Sequence, residues 1–479
     1  MSSRRSGNSV SRIKTGSFER RLSLTRAGLY AGTRMASHMA TNWLSSKDKR
    51  DQKHRAMLSK QARFLVDELG QLKGSVVKIG QVMALYGEHF LPDEVTEALH
   101  TLEDQTTSLE WSAIERVLKE DLGSERLAEL QVDPEPIGAA SLGQVHRAVR
   151  RSDGLELVLK VQYPGVADAV DSDLNAVAHL LKIARLVSFG PEFNDWLEEV
   201  REMMHREVDY RLEARTTEKF RDMLASDPRF IVPRVLQEYS TPHVIASTYE
   251  HGHSVSSQAV KDLPIHRRTA LGEAALELFF RELFVWGEIQ TDPNFGNYRI
   301  RIAGEEGEDP GYDRIVLLDF GAVQAYSDEF LAPVKQMIRA SYENDLQAVI
   351  DGGVELNFMS LSWPREVLEK FGSVCMSVLE PLAKDRSNWP DYAVNSRGQY
   401  RWKQSDLPSR VARQAARSAI NRYFRVPPKE FVFLNRKLIG VYTFIAVLHS
   451  EFNGEPLLRK YLYGDDAPDA SATSQRTKA

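Results

Sequence analysis

Four short segments follow one another along this chain, and their order restricts the fold more than any of them does alone. The first is Gly138-Ala139-Ala140-Ser141-Leu142-Gly143-Gln144-Val145. It is a small-residue turn whose backbone N–H groups can close over phosphate oxygens. Taken alone, such a turn is commonplace. Ala140 stands where a middle glycine would allow closer approach. The second segment follows a tight turn at Ser152-Asp153-Gly154. Over residues 155–161, Leu155, Leu157, Leu159 and Val161 share one face of a strand, and Glu156, Val158 and Lys160 share the other. Lys160 therefore points away from the core beside Val158, where it can pair with nucleotide phosphates. The plain alternative is a solubility lysine on an edge strand.

The third segment is Gln290-Thr291-Asp292-Pro293-Asn294-Phe295-Gly296-Asn297, after an apolar helix expected over residues 266–286. Its D-x-x-x-x-N spacing suits Asp292 as a base or acceptor orienter and Asn297 as an oxygen ligand of Mg²⁺. Its plain alternative is a surface turn. The fourth, Leu317-Leu318-Asp319-Phe320-Gly321, ends an apolar strand in a carboxylate placed to hold Mg²⁺ against β- and γ-phosphates. Between these pairs lies Glu207-Val208-Asp209-Tyr210-Arg211-Leu212-Glu213, on a helix expected over residues 193–224. There Asp209 and Glu213, four apart, share a face. Glu213 is the expected partner of Lys160, leaving Glu207 and Asp209 a separate role. This is the order of a protein-kinase-like fold: α+β and bilobal, strand-rich first and helical after. Two features depart from it. No A-P-E follows Gly321, and Gln290 and Thr291 replace the His and Arg of H-R-D. A docking platform for peptide substrates is therefore not evident.

The expected organisation is a basic arm over 1–63, a helical extension over 64–133, an N-lobe with inserted helices over 134–250, a C-lobe over 251–464 and a disordered tail over 465–479. The arm carries 15 Lys and Arg against three acids, so the remainder must hold −17 of the net −5. A basic arm on an acidic body suits an anionic surface, or is simply a solvated tail. Residues 23–46 read as a helix that lies on a membrane or packs on the body. The Arg- and Ser-rich, acid-poor start also suits a mitochondrial transit peptide. The single Cys375 excludes an internal disulfide framework and a multi-cysteine metal site. The apolar stretch 438–448 is too short to span a bilayer and reads as a buried helix.

Lys78-Ile79-Gly80-Gln81 resembles the K-x-G-Q motif of the UbiB/AarF/ADCK proteins. Residues 136–146 resemble their alanine-rich loop, with Gly138 where alanine is usual, and Glu207-Val208-Asp209 looks like their E-x-D motif. Residues 290–297 are similar to the Q-T-D-P-N-x-x-N loop of the mitochondrial coenzyme-Q branch, and the segments 161–175 and Val426-Pro427-Pro428 also resemble other parts of that branch. The resemblance implies a kinase-like fold with an N-terminal extension whose Lys78 and Gln81 segment covers the cleft and blocks peptide substrates. It implies ATP or ADP with Mg²⁺ as ligands, held by Gly138, Ala139, Ala140, Ser141, Gly143, Val145, Val158 and Lys160. It further implies slow ATP hydrolysis that supports ubiquinone biosynthesis or lipid homeostasis. The implied partners are anionic lipid or a lipid-like quinone precursor, together with ubiquinone-biosynthesis proteins; no nucleic acid is expected. The implied place is a membrane surface: peripheral on the bacterial inner membrane from the cytoplasm, or on the matrix side of the mitochondrial inner membrane. Two other readings stay open: a small-molecule or lipid phosphotransferase with Asp292 as base, and a nucleotide-binding pseudokinase scaffold.

Each basic residue near an anionic membrane contributes at most about 1 kcal/mol, and salt screens it. The full chain is therefore expected to sediment with anionic liposomes in low salt more than a chain starting near Gln61. Equal sedimentation of the two would remove the arm as the anchor.

Overall fold

The computed structural model describes residues 75–86, 95, 108–140, 142–183, 191–305, 311–387, 389–419 and 428–464. The expected arm, its 23–46 helix and the tail lie outside these residues. The strands are β1 (Leu130–Ala139), β2 (Gly143–Arg150), β3 (Glu156–Gln162), β4 (Phe230–Ile231), β5 (Val244–Thr248), β6 (Glu288–Gln290), β7 (Tyr298–Arg301), β8 (Arg314–Leu317) and β9 (Val323–Ala325). The first helices are α1 (Ser75–Tyr86), α2 (Trp111–Ala128), α3 (Val166–Ile183), α4 (Pro191–Glu207), α5 (Tyr210–Leu224) and α6 (Ile265–Phe280). They are followed by α7 (Asp328–Tyr342), α8 (Leu346–Glu355), α9 (Arg365–Val378), α10 (Leu407–Ala419), α11 (Lys429–Val447) and α12 (Glu455–Tyr463).

The chain divides into two compact units. One holds the described residues up to Lys219 together with Pro233–Tyr249; the other holds Phe220–Val232 and the described residues from Glu250 onward. Helix α5 contributes to both. The second unit claims residues 220–232, inside the expected N-lobe, for a packing reason. Phe220, Leu224, Phe230 and Val232 are buried in one cluster with Val255, Leu271, Ile300 and Phe320.

The first unit is a four-stranded sheet in the order β1-β2-β3-β5, antiparallel throughout. Strict alternation along β3 buries Leu157, Leu159 and Val161 on one face. On the same face β2 buries two polar residues, Gln144 and His146. Gln144 Oε1 accepts from the Leu109 N–H at 2.8 Å, and Gln144 Nε2 meets His146 Nε2 at 2.9 Å. Burial pushes the His146 imidazole below its ordinary pKa. A neutral ring then donates from Nδ1 to the Asp133 carbonyl at 2.8 Å while Nε2 accepts from Gln144. Helices α1, α3 and α4 bury Val76, Ile79 and Met83, Val170, Leu174 and Val177, and Phe193, Trp196 and Val200 in the same cluster. The 3- and 4-residue steps are those of amphipathic helices.

The second unit holds two small sheets, β4-β8-β7 and β6-β9, among helices. Strands β7 and β8 form an antiparallel hairpin, paired from Tyr298 with Leu317 to Arg301 with Arg314. The apolar helix expected over 266–286 is α6 followed by a π-turn, Arg281–Trp286, which ends at Gly287 with φ 65°. Two further expectations change. The single helix over 193–224 breaks at Val208-Asp209 into α4 and α5, because Asp209 leaves the helix and its carboxylate accepts from the Leu212 N–H at 2.9 Å. Strand pairing begins at Leu130 rather than at Pro134, since β1 runs alongside β2 through the prolines by register shifts. Among the described residues, no helix is long and apolar enough to cross a membrane.

The glycines of the small-residue turn differ in what they permit. A Cβ at Gly143 would overlap the Val161 carbonyl oxygen and lie 2.9 Å from the Tyr210 hydroxyl; a Cβ at Gly138 would meet nothing. Gly143→Ala is therefore expected to cost about 1–3 kcal/mol. Gly138→Ala is expected to change stability by less than about 1 kcal/mol. Urea-unfolding midpoints of the two variants check this; equal midpoints would show that the loop relaxes freely.

Candidate functional site

The first unit places Lys160 at the centre of β3, opposite Val145 of β2 and Ile245 of β5. Its ammonium lies 2.6 Å from Glu213 Oε1 and 5.3 Å from the centre of the Tyr210 ring. The Glu213 side chain is 8% exposed and that of Lys160 25%. A carboxylate this buried needs a partner, and the first turn of α5 delivers it to the strand. Val158, opposite Arg147, shares the half-buried face of Lys160 and Val145.

The small-residue turn joins β1 to β2. Gly138 and Ala139 are exposed at the end of β1, and the Ala140 N–H donates to the Gly143 carbonyl at 2.8 Å. Ser141 lies outside the described residues. The turn stands at the end of the sheet nearer Lys160, since Gly138 pairs with Val145 and Val145 pairs with Lys160.

A second ion pair joins α1 to the end of α4. Lys78 Nζ of α1 lies 2.6 Å from Glu207 Oε1, the last residue of α4. Asp209, two residues on, spends its carboxylate on capping α5 and so does not share a helical face with Glu213. The break between the helices is tied to β3, because Gln162 Nε2 donates to the Val208 carbonyl at 2.6 Å. Gln81 lies on α1 three residues after Lys78; its side chain is outside the described residues.

In the second unit, Asp292 and Asn297 meet directly: Asn297 Nδ2 donates to Asp292 Oδ2 at 2.9 Å. The Leu318 N–H donates to the Asn297 carbonyl at 2.9 Å, so the end of the β7–β8 hairpin sets Asp319 next to Asn297 in the backbone ladder. Thr291 Oγ1 donates to the Ala322 carbonyl at 2.7 Å, tying the Asp292 loop to the segment after Asp319. Asp319 Oδ1 accepts from the Gly321 N–H at 2.9 Å. With its amide nitrogen turned to Asp292, Asn297 has its carbonyl oxygen left as a donor to metal. Asn297 and Asp319 thus offer hard oxygens of the kind Mg²⁺ takes, one or two from protein and the rest from phosphate and water. Among the described residues no cluster of three or more His, Cys, Asp or Glu forms an all-protein cage. Phe320, buried, packs on Phe220 of α5 at 4.9 Å.

A sequence model of the ABC1 atypical kinase-like domain matches residues 101–352, more than half of the chain. The chain belongs to this family. It is 28% identical over 411 residues to "Atypical kinase coq-8, mitochondrial" of Caenorhabditis elegans, covering 85% of this chain and 52% of that one. It is 29% identical over 386 residues to "Atypical kinase COQ8, mitochondrial" of Schizosaccharomyces pombe, covering 80% and 60%. The chain thus spans about half to three fifths of the length of these relatives. Among solved structures, the erythromycin complex of Rv3197 from Mycobacterium tuberculosis is similar, with a TM-score of 0.56 at 23% identity over 88% of this chain and all of that one. That likeness shows the fold, which is α+β and kinase-like.

Behind the Asp292 loop lie functional residues that the local sequence pattern does not reveal. Glu282 and Lys437 are both almost fully buried, with Lys437 Nζ 3.0 Å from Glu282 Oε2. Glu282 Oε1 also accepts from the Gln290 N–H at 3.3 Å. Burial disfavours the Lys437 ammonium, but Glu282, Tyr298 and Asp292 together outweigh it and raise the Lys437 pKa. One turn further along α11, Gly440 leaves no room for a side chain against Pro293. Arg436 faces Asp292 itself, Nη2 to Oδ1 at 3.6 Å. A lone acid in the apolar run 278–286 was the available signal, since buried carboxylates are almost always paired. Glu282→Gln leaves the Lys437 ammonium buried without its counter-charge and is expected to cost about 3–5 kcal/mol. Glu282→Leu combined with Lys437→Met is expected to cost clearly less. Urea unfolding of both checks the pair; equal losses would show that its charges are not coupled.

Proposed function

We propose that this chain is an atypical kinase-like ATPase that binds Mg²⁺ with ATP or ADP and supports ubiquinone biosynthesis or lipid homeostasis at a membrane surface. The observation that carries the reading is the Lys160–Glu213 ion pair at 2.6 Å. A strand lysine held by a helix glutamate is the arrangement that pairs α- and β-phosphates in kinase-like sites. The turn from Gly138 to Gly143, with Val145 and Val158 beside it, covers the nucleotide in this reading. Asn297 and Asp319 hold the metal, whose charge would neutralise that developing on the β- and γ-phosphate oxygens. Asp292, fixed by Asn297, orients the accepting oxygen and takes its proton. Lys78, with Gln81 on the same helix, restrains turnover and excludes peptide substrates through Glu207. Asp209 supports this from the neighbouring break by fixing the start of α5.

The biosynthetic part of the proposal is supported by the motif resemblance and by the names of the relatives, two of which are mitochondrial atypical kinases of the COQ8 type. The proposed place is the matrix side of the mitochondrial inner membrane, or the cytoplasmic face of a bacterial one. Anionic lipid and a lipid-like quinone precursor are the proposed membrane partners.

Asp319→Asn removes one anionic ligand from a cation with few protein ligands. A ligand present at 100 times its Kd stabilises a protein by about 2.7 kcal/mol. Mg-ATP is therefore expected to raise the melting temperature of the wild-type chain and not that of Asp319→Asn. The same variant is expected to fail to restore ubiquinone in cells that have lost the gene. A variant stabilised like the wild type would remove Asp319 from the site.

A further inference from the structure

Phosphoryl transfer spreads negative charge over three equatorial oxygens, and a cationic side chain placed there besides the metal speeds the reaction. The Asp292 loop does not carry one: residues 290–298 contain no Lys, Arg or His. Among the described residues three basic side chains meet the loop or the residues it rests on, and two are committed elsewhere. Lys437 is buried against Glu282, at 3.0 Å. Arg299 Nη1 donates to the Gly296 and Tyr298 carbonyls at 3.1 and 2.9 Å. The third, Arg436, points at the Asp292 carboxylate.

We propose that Arg436 is a catalytic residue of this chain, a guanidinium supplied by α11 that moves from Asp292 onto the transferring phosphoryl group. The proposal rests on the nucleotide reading above and goes beyond it. Three observations carry it. Arg436 Nη2 and Asp292 Oδ1 stand 3.6 Å apart, an ion pair too long for a direct hydrogen bond. Both side chains are 35% exposed. Such a pair holds the guanidinium in place yet costs only about 0–1 kcal/mol to leave. Second, the helix that presents Arg436 is fixed to the loop at the next residue and one turn on. Lys437 is anchored to Glu282, which also accepts from the Gln290 N–H, and Gly440 is pressed on Pro293. Third, a guanidinium matches phosphate oxygens with two parallel N–H groups, which a carboxylate-bound Asn297 cannot do.

In the proposed step water attacks the terminal phosphorus of ATP. A bond forms from the water oxygen to phosphorus, and the bond from phosphorus to the bridging oxygen breaks with its electron pair staying on ADP. The proton lost by water passes to Asp292 and on to solvent. Arg436 donates N–H to the oxygens that gain charge. Its departure from Asp292 also frees the carboxylate oxygen that receives the proton. One residue thereby couples the arrival of a terminal phosphate to the readiness of Asp292.

The test uses the full chain and three variants, Arg436→Ala, Arg436→Lys and Arg436→Gln, each checked for an unchanged melting temperature. Calorimetric titration measures the affinity for Mg-ADP and for the non-hydrolysable analogue Mg-AMP-PNP, and a steady-state assay gives kcat and KM for ATP. Arg436→Ala is expected to keep its ADP affinity, to lose roughly tenfold in AMP-PNP affinity, and to lose at least about 10²-fold in kcat. Arg436→Lys is expected to retain part of kcat, and added methylguanidinium to restore part of it to Arg436→Ala. Should Arg436→Ala melt early, the contrast between the Lys and Gln variants decides in its place. Wild-type kcat in the Ala or Gln variant, or equal losses for ADP and AMP-PNP, would overturn the proposal and leave the nucleotide reading standing. A wild-type chain that binds neither nucleotide would overturn both.

Discussion

A buried charge must be paired or neutralised, and in the second unit this requirement is met by Glu282 and Lys437. Glu282 sits in the π-turn after α6 and Lys437 in α11, 155 residues later. Their pairing fixes where α11 lies, and the second carboxylate oxygen fixes the start of the Asp292 loop through the Gln290 N–H. The positions of Pro293, Asp292 and Asn297 follow from those two attachments. The π-turn matters here because widening the helix turns Glu282 inward at the point where the chain must leave for β6. Gln290 pays part of the cost of this packing: its side-chain amide is buried, and among the described residues neither polar atom finds a hydrogen-bond partner.

The first unit is organised by contact around one aromatic side chain. Tyr210, 2% exposed, lies under the Lys160 ammonium and against the glycine that opens β2. It begins α5, three residues before Glu213. The ring therefore sets the spacing between the turn that begins β2, the lysine in β3 and the helix that neutralises it. A smaller residue there would leave all three present but loosely placed.

Local patterns were readable, and long-range partnerships were not. The alternation of residues 155–161 identified β3, its buried face and the outward Lys160, because a period of two has one physical meaning. The spacing from Asp292 to Asn297 and the strand before Asp319 were equally local. The break at Val208-Asp209 was not read, since acids near a helix start are also ordinary residues on a helix surface. The three-residue strands β6 and β9 are too short to show a period. Arg436 and Lys437 carried no mark of their own, because what they do depends on residues about 140 to 155 positions away. The assignment of residues 220–232 to the second unit has the same origin: Phe220 looks like any helix phenylalanine until Phe320 is placed on it.

The two-residue break between α4 and α5 has a mechanical result. Lys78 is attached to Glu207 on one side of it, and Lys160 to Glu213 on the other. Had the helix run through, any pull on α1 would have been carried along a stiff rod to Glu213. Instead the chain turns at Val208, and Gln162 fastens that turn to the strand that also bears Lys160. The strand acts as a fulcrum. The hold of α1 on Glu207 is thereby separated from the hold of Glu213 on Lys160.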